Sequence, residues 1–217
     1  MPEAVLFDLY DTLVVSDWGR HASFLSERLG VPAGSIADAY GGLREARDGG
    51  GLTDAGAIIS AVASHCGVRL QPERVEEIVA AEAEYLRHNV AMYDDTVGVL
   101  RRLAAEGVRT AIVSNCSPTT RPIVGHLGLE AEVDAVVLSC EVGTAKPDPE
   151  IFEIALARVE AEPNASWFVD DRSDYLDGAR RLGIRTARIV RPVSHGEEVP
   201  GGEHPVIDRL AGIFDLY

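Results

Sequence analysis

The sequence predicts an α/β fold in which a mostly parallel, doubly wound sheet carries an inserted helical segment. In the second half of the chain, short apolar runs alternate with amphipathic stretches, which is typical of a parallel sheet covered by helices. The first apolar run, Ala4–Phe7, ends at Asp8 and precedes a long, mostly helical stretch. We therefore expect a core of residues 1–14 and 91–217, with a helical segment of residues 15–90 inserted after the first strand.

Residues 15–90 contain four predicted helices. Ser16 and Ser35 are plausible N-caps of the first two helices. The third helix is expected to start at Asp54, and the fourth at Pro72, a residue suited to a first helical turn.

A later part of this segment carries three side chains with helical spacing. Tyr40, Arg44 and Arg47 fall at positions i, i+4 and i+7, so one continuous helix would place them on one face. If this face lay against the binding crevice, it could recognise an anionic substrate. We favour the other interpretation, in which the face is exposed to solvent.

The remainder of the chain alternates between helix and strand. Strands are predicted at 109–113, 133–138, 166–169 and 185–190. Helices are predicted at 96–106, 149–159 and 175–182, with a further helix opening at Ser117. A glycine- and glutamate-rich stretch at 196–204 is predicted to be an exposed loop.

Composition excludes several classes of function. The 217 residues carry a net charge of −15, which argues against nucleic-acid binding and suits a divalent cation. There is no apolar stretch of membrane-spanning length and no basic leader at the N-terminus. The three cysteines are distant in sequence and predict neither a disulfide framework nor a zinc site. We expect a cytoplasmic protein with a small-molecule substrate and no membrane partner.

Polar residues cluster just after the predicted strands. In an open parallel sheet, the carboxyl ends of the strands converge on one crevice where ligands bind. The residues expected there are Asp8 and Thr12 after the first strand, Ser114 and Asn115 after the second, and Asp170 and Asp171 after the fourth.

Lys146 is the single lysine of the chain, against 19 arginines. It lies in a loop that precedes a predicted helix, and loops often carry functional residues. The use of lysine at this position, in a chain that otherwise uses arginine, indicates that a compact ammonium group is needed rather than a planar guanidinium group.

These residue types suit phosphoryl transfer. Clustered carboxylates form a hard oxygen site that Mg²⁺ prefers, and Mg²⁺ together with an ammonium neutralises a phosphoryl group. The hydroxyls of Thr12 and Ser114 and the amide of Asn115 are donors for its oxygens. Asp8 is then placed to attack as a carboxylate nucleophile and to form an aspartyl-phosphate that water cleaves.

Four short segments resemble, in order, the four motifs of the haloacid dehalogenase superfamily. They are FDLYDTL (7–13), VSN (113–115), KPDPEIF (146–152) and FVDD (168–171). Each motif alone is weak, whereas four in order are specific. The resemblance extends to residues 15–90, which look like the helical cap of that superfamily.

The resemblance assigns roles to individual positions. It implies that Asp8 is the nucleophile and that Lys146 bridges nucleophile and phosphate. Thr12 and Ser114 correspond to phosphate-binding hydroxyls, with help from Asn115 and Tyr10. The implied Mg²⁺ ligands are Asp8, Asp170, Asp171 and the backbone carbonyl of Tyr10. The function implied is Mg²⁺-dependent removal of phosphate from a small phosphorylated metabolite.

Tyr10 departs from the phosphatase pattern. Phosphatases of the superfamily usually carry there a second aspartate that protonates the leaving group. Tyrosine at this position resembles the 2-haloacid dehalogenases, which need no metal and carry small polar residues in place of Asp170 and Asp171. We favour a phosphatase because two adjacent buried carboxylates repel each other unless a cation pairs them. A 2-haloacid dehalogenase with an aspartyl-ester intermediate is the alternative, and a catalytically weak binding member is a third possibility.

The missing acid leaves two options. Asp11 could serve as acid/base, or the substrate could have a good leaving group such as that of an acyl phosphate. Strand alternation points Asp11 away from Asp8, although a loop starting there could re-aim it. The predicted cap has no lysine, which disfavours the superfamily reactions that cleave carbon–phosphorus bonds through a cap Schiff base.

Overall fold

The structure, a computed structural model, describes residues 1–191 and 203–217. Most of the predicted exposed loop at 196–204 lies outside the described residues. Its last residue, His204, is buried, and its Nδ1 shares a hydrogen bond of 2.8 Å with Thr186 Oγ1. The prediction of exposure is wrong at this position because Thr186 provides a buried polar partner.

Within residues 1–191 and 203–217, eight strands form two sheets. The strands are β1 (Ala4–Phe7), β2 (Val14–Val15), β3 (Ala91–Met92), β4 (Arg109–Ser114), β5 (Ala135–Leu138), β6 (Ser166–Asp170), β7 (Arg185–Ile189) and β8 (Val206–Ile207). The main sheet has the order β5-β4-β1-β6-β7-β8, and all its strand pairs are parallel. All four residues of β1 are buried, as expected for a central strand covered on both faces.

Ten α-helices are described. They are α1 (Trp18–Leu29), α2 (Ala33–Gly42), α3 (Arg44–Asp48), α4 (Ala55–His65), α5 (Pro72–Asn89), α6 (Thr96–Ala105), α7 (Thr120–His126), α8 (Ser139–Val142), α9 (Pro149–Val159) and α10 (Ser173–Arg181). Short 3-10 turns occur at Leu129–Ala131, Pro163–Ala165 and Leu210–Asp215. The helix predicted to open at Ser117 begins at Thr120, because a turn in which the Thr120 amide donates to the Ser117 carbonyl comes first.

The helix starts in the 15–90 segment differ in part from the predicted caps. Asp17, and not Ser16, caps α1 by accepting a hydrogen bond from the Arg20 amide at 2.9 Å. Ser35 lies inside α2, because the helix begins at Ala33, directly after Pro32. The φ of −58° at Pro32 is fixed by the proline ring and is close to a helical value. Asp54 caps α4 as predicted.

The helix that was expected to carry Tyr40, Arg44 and Arg47 is broken at Leu43. Tyr40 lies on α2, and both arginines lie on α3. The adjacent Gly41 and Gly42 are poor helix formers, which accounts for the end of α2 at this point. The prediction of one continuous helical face is therefore wrong.

In the part of the chain that the structure describes, the buried apolar side chains form three clusters. One lies on the face of the main sheet covered by α6 and α7, and the second lies on the opposite face under α9 and α10. The third is formed within α1, α2, α4 and α5 and includes the fully buried Leu25, Ile36 and Ile78. Helices on both faces make the sheet doubly wound, as the sequence predicts.

The helices α1–α5 are joined to the sheet through a short ladder. β2 pairs antiparallel with β3, with Val14 opposite Met92 and Val15 opposite Ala91. The chain therefore leaves towards α1 and returns from α5 at adjacent positions. The division into a core and a 15–90 cap stays a prediction, and its proposed boundary falls at this ladder.

Candidate active site

The centre of the main sheet brings the predicted residues together. β1 lies between β4 and β6, with Phe7 paired to Ile112 on one side and to Val169 on the other. Asp8 follows Phe7 directly, and its amide donates to the Val169 carbonyl at 2.9 Å. The order of the strands thus places Asp8 at the carboxyl edge of the sheet, between the ends of its two neighbours.

Lys146 joins the ends of β1 and β6 through its ammonium. Its Nζ lies 2.6 Å from Asp8 Oδ1 and 2.7 Å from Asp170 Oδ2, and its side chain is fully buried. The aromatic rings of Phe168 and Tyr175 lie 5.3 and 4.8 Å from the same nitrogen. Burial opposes the charge, but Asp170 and Asp8 outweigh it and raise the pKa of Lys146 above its ordinary value. The group is therefore a fixed cation.

Asn115 holds the backbone of Lys146. Its Nδ2 donates to the Lys146 carbonyl at 2.8 Å, and its Oδ1 accepts from the Lys146 amide at 2.7 Å. The same Nδ2 lies 3.3 Å from the Tyr175 hydroxyl. Sequence reasoning expected Asn115 to bind phosphate, whereas these contacts commit its amide to positioning the lysine.

A close approach between two elements supports the same loop. A Cβ placed on Gly178 of α10 would lie 2.6 Å from the Pro147 carbonyl oxygen and 2.8 Å from its Cβ. Pro147 follows Lys146 directly, so only glycine at this point of the helix lets the lysine loop sit where it does.

Three carboxylates lie close enough to share one cation. Asp8, Asp170 and Asp171 each offer an oxygen, and these atoms lie within 4.8 Å of one another. The Lys146 ammonium contacts Asp8 and Asp170, and Asp171 adds a further acidic group beside them. Hard oxygen donors and this charge fit Mg²⁺. The part of the Tyr10 carbonyl as a further ligand stays a prediction.

The acidity of these carboxyls follows from burial and crowding. Burial raises the pKa of Asp8 to about 6, with Lys146 opposing the shift and Asp170 adding to it. Burial likewise raises the pKa of Asp170 and of Asp171 to about 6, and the charge of a neighbouring aspartate adds to each shift. A divalent cation would relieve the repulsion behind part of these shifts.

Two buried hydroxyls accompany the carboxylates. Thr12 and Ser114 are fully buried, and among the residues that the structure describes neither side-chain oxygen has a hydrogen-bond partner. Buried polar groups are normally satisfied, so both hydroxyls fit donors to an oxyanion. The turn that carries Thr12 is held by Arg191, whose guanidinium donates to the Thr12 carbonyl at 2.8 Å.

Tyr10 stands at the wall of the site as a neutral phenol. Its hydroxyl shares a hydrogen bond of 3.0 Å with Thr120 Oγ1. Burial raises its pKa above the ordinary value, the hydrogen bond with Thr120 opposes this shift, and the charge of Asp8 adds to it. Tyr10 therefore keeps its proton near neutral pH and is a poor substitute for a catalytic carboxylate.

Asp11 does not follow the expected strand alternation. Its backbone has φ 58°, in the left-handed region that non-glycine residues rarely adopt. It lines the same cavity as Asp8 and Asp171, and its charge raises the pKa of Asp171. Of the two orientations that the sequence left open for Asp11, the structure has the one in which a turn re-aims it, because the strand ends at Phe7.

Sequence reasoning missed or undervalued the cations around this cavity. The cavity has a volume of about 590 Å³ and is lined by Asp8 and by three arginines, Arg44, Arg47 and Arg172. Arg44 and Arg47 were favoured as a solvated face, but α3 turns both towards the site. Arg172 directly follows the acid pair, and that adjacency was the available signal for it.

Asp8, Lys146 and the Asp170–Asp171 pair, which belong to segments that resemble haloacid dehalogenase motifs, meet at the carboxyl edge of the sheet. A family model described as haloacid dehalogenase-like hydrolase matches residues 2–183. The chain therefore belongs to this family.

Similar proteins include enzymes of different activity. The chain is 33% identical to pyrophosphatase PpaX of Halalkalibacterium halodurans, over 60% of this chain and 62% of that protein. It is 30% identical to tyrosine-protein kinase PtkA of Mycobacterium tuberculosis, over 99% of this chain and 71% of that protein. The chain spans less than half of several other curated relatives that it matches.

Solved structures of both dehalogenases and phosphatases share the fold. The L-2-haloacid dehalogenase of Xanthobacter autotrophicus with chloropropionic acid covalently bound has a TM-score of 0.71 at 21% identity, over 100% of this chain and 98% of that chain. A HAD phosphatase from Thermococcus onnurineus has a TM-score of 0.69 at 22% identity, over 99% and 97%.

No helix within 1–191 or 203–217 combines the length and the hydropathy that crossing a bilayer requires.

Proposed function

We propose that this hydrolase removes phosphate from a small phosphorylated substrate in a Mg²⁺-dependent reaction. The observation that carries the proposal is Asp171. It adds a third carboxylate to a pair that Lys146 already joins, and the oxygens lie within 4.8 Å. A dehalogenase, which uses no metal, would bear this repulsion without a benefit. A cytoplasmic location is part of the same proposal.

The first step is attack by Asp8 on phosphorus. Lys146 holds Oδ1 of Asp8 at 2.6 Å, which orients the carboxylate so that its other oxygen is the attacking atom. The bond from that oxygen to phosphorus forms as the bond from phosphorus to the leaving oxygen breaks. The hydroxyls of Thr12 and Ser114 are the donors for the phosphoryl oxygens. Mg²⁺, when bound by the acid cluster, neutralises charge on the phosphoryl group.

The second step is hydrolysis of the aspartyl-phosphate. Water adds to phosphorus, and the Asp8 carboxylate is restored with release of inorganic phosphate. A base near the water speeds this step. Two carboxylates of the cavity lie outside the cation cluster, Asp11 and Asp48. Asp48 is paired with Arg47 at 2.8 Å, and we assign the role of base to Asp11.

Substitution of Asp11 tests that assignment. We expect Asp11→Asn to lower kcat for phosphate esters by roughly a hundredfold, the size of one general acid–base contribution. Steady-state rates of phosphate release measure it, with Asp174→Asn as a control that removes an exposed nearby acid. Unchanged turnover of every ester would remove Asp11 from the mechanism.

A substrate panel tests the function as a whole. Phosphate esters, acyl phosphates and 2-chloropropionate are assayed with Mg²⁺ and with EDTA, following both phosphate and chloride release. We expect phosphate release that EDTA abolishes and that Asp8→Asn eliminates.

Tyr10 favours a second candidate, a 2-haloacid dehalogenase, because halide leaves without a proton and needs no acid. Chloride release that persists in EDTA would establish that activity instead. A panel on which the wild type and Asp8→Asn are equally inactive would point to a weak binding member of the family.

A further inference from the structure

A second cavity adjoins the site on the side of α1–α5. It has a volume of about 200 Å³. Tyr10, Trp18, Arg47 and Asn115 line both this cavity and the one that contains Asp8. A group attached to a phosphoryl at Asp8 can therefore extend into the second cavity past Tyr10.

The wall of the second cavity is aromatic. Trp18 and Tyr40 meet edge to face with ring centroids 4.6 Å apart. His21 stacks on Tyr85 at 5.7 Å and meets Trp18 edge-on at 5.2 Å. These rings come from α1, α2 and α5, so three helices contribute one continuous surface. Such a surface favours stacked or edge-on contact with another ring.

The charged side chains that line this cavity are already paired. A carboxylate or guanidinium with a partner gains little from a second charge, so the lining does not select for a charged ligand. The pairs are Glu82 with His21 at 2.9 Å, Arg47 with Asp48 at 2.8 Å and Asp17 with Arg20 at 3.3 Å.

The size of the cavity suits a single ring. An apolar protein cavity of roughly 150 Å³ accepts benzene, and this one is slightly larger. We propose that the second cavity binds the leaving group of the substrate and that this group is a neutral aromatic ring, so that the substrate class is aryl phosphate monoesters. The inference rests on the proposed phosphatase function.

The absence of a catalytic carboxylate at Tyr10 also points to aryl phosphate monoesters as the substrate class. The bond from Asp8 to phosphorus forms, and the aryl oxygen departs with the electron pair of its bond and takes a proton from water. A phenol ionises with a pKa of about 10, whereas an alkyl alcohol is about as weak an acid as water. A phenolate therefore leaves without the acid that Tyr10 does not provide.

Four substrates separate ring recognition from leaving-group acidity. Phenyl phosphate has both a ring and a good leaving group, benzyl phosphate only the ring, acetyl phosphate only the good leaving group, and ethyl phosphate neither. We expect the two ring substrates to show a KM at least tenfold lower than the two others. We expect kcat to follow leaving-group acidity instead.

A matched pair of variants places the effect in the cavity. Tyr85→Leu removes a wall ring and should raise KM for phenyl and benzyl phosphate by roughly three- to tenfold, the order of one aromatic contact. KM for acetyl phosphate should not move. Phe24→Leu is the control, because Phe24 packs on Tyr85 at 4.3 Å without lining the cavity.

The outcomes distinguish the two proposals. If none of the four compounds releases phosphate, the proposed function fails. If phosphate is released but KM is the same with and without a ring, the phosphatase stands and the aryl specificity is overturned. Equal effects of Tyr85→Leu and Phe24→Leu would also overturn it.

A separate observation concerns two cysteines that are distant in sequence. Ser114 of β4 pairs with Leu138 of β5, and each cysteine follows two residues later. Cys116 Sγ and Cys140 Sγ lie 3.9 Å apart, and the Ser139 hydroxyl accepts from the Cys116 amide at 3.0 Å between them. The three cysteines are free, as expected, but strand register brings these two, which are distant in sequence, into contact.

We propose that Cys116 and Cys140 form a disulfide when the protein meets a peroxide. Cys140, the less buried thiol, attacks the peroxide oxygen as a thiolate and becomes a sulfenic acid, and one water leaves. Cys116 then attacks the Cys140 sulfur, the S–S bond forms, and a second water leaves. Two thiols are oxidised and one peroxide is reduced to two waters. Contact with Cys116 lowers the pKa of Cys140, which supports this order.

Thiol counting and mass spectrometry test the pair. After stoichiometric hydrogen peroxide, we expect one thiol of three to stay titratable and the chain to lose the mass of two hydrogens. Dithiothreitol should reverse both changes. Cys66→Ser should still lose both remaining thiols, whereas Cys140→Ser should not form the bond. Three thiols that stay titratable, or oxidation confined to Cys66, would overturn the proposal.

Discussion

Lys146 is a buried cation, and its two partners, Asp8 and Asp170, are also buried. Arginine could not replace it without loss of these contacts. The space between Asp8 and Asp170 accepts the single Nζ of lysine, at 2.6 and 2.7 Å from their oxygens, rather than a planar guanidinium group. The bias of the composition towards arginine was therefore informative. The sequence could identify this lysine because its chemistry depends on residue type, which is visible without a structure.

Removal of Lys146 should destabilise the metal-free protein. Lys146→Met leaves Asp8 and Asp170 without their cation, and breaking a buried pair in this way costs about 3–5 kcal/mol. Urea unfolding in EDTA measures the free energy of unfolding. Adding Asp170→Asn in the same chain should recover part of the loss, since one of the two abandoned charges is removed. A Lys146→Met protein as stable as the wild type would contradict the pairing.

The raised pKa values of Asp8, Asp170 and Asp171 predict how stability depends on pH without metal. Folding raises each from the ordinary 3.8 to about 6, so the folded state binds more protons than the unfolded state between about pH 4 and 6. The contribution of these groups to stability therefore falls as pH rises through that window.

Mg²⁺ should reverse this loss, because it binds the ionised carboxylates. We expect a saturating addition of Mg²⁺ to raise Tm more at pH 7.5 than at pH 5, by several degrees for a chain of this length. Thermal unfolding with Mg²⁺ and with EDTA at both pH values measures this. Asp171→Asn should shrink the difference. An equal response at the two pH values would argue against a carboxylate site.

At the scale of elements, the site depends on how α10 meets the lysine loop. Gly178→Ala would force the Pro147 backbone away from α10, since the new Cβ would lie 2.6 Å from its carbonyl oxygen. A misplacement of about 1 Å can cost a hundredfold in rate. We expect kcat to fall by up to about that factor, with a smaller change in KM, in phosphate-release kinetics.

Gly98→Ala is the matched control for that substitution. Gly98 lies on the exposed side of α6, and a Cβ there meets no atom within 4 Å. Alanine should stabilise this helix by about 1 kcal/mol and leave kcat unchanged. A similar loss of activity in both variants would show that Gly178 has no special connection to the lysine loop.

Elements that depend on local pattern were predictable. The apolar run Ala4–Phe7 and the helix Pro149–Val159 appear at the positions that the sequence indicates. The Cys116–Cys140 contact was not predictable, because it depends on the pairing of β4 with β5, which residue spacing does not encode. The Leu43 break had a local signal in Gly41 and Gly42. The orientation of Asp11 stayed open because it depends on the φ of one turn residue.

At the scale of the whole molecule, α1, α2, α4 and α5 share an apolar cluster that is distinct from the two clusters of the sheet, although Leu86 of α5 packs with the sheet. Calorimetry should therefore resolve two transitions. Ile36→Ala removes a fully buried side chain of this cluster, at a cost of about 2–5 kcal/mol, and should lower the temperature of one transition only. Ile112→Ala in β4 should lower the other. A single transition that shifts as a whole in both variants would show that the two parts unfold as one.

The short ladder between β2 and β3 has a consequence for how such a protein can be rebuilt. Val15 and Ala91 are neighbours in an antiparallel pair, so a two-residue hairpin turn is enough to join them. One splice at that point would exchange or delete everything between them while the chain path through the sheet stays the same. The segment between β2 and β3, which contributes most of the lining of the second cavity, can therefore be exchanged as one unit. The part of the gene that encodes Asp8 and Lys146 would stay unchanged.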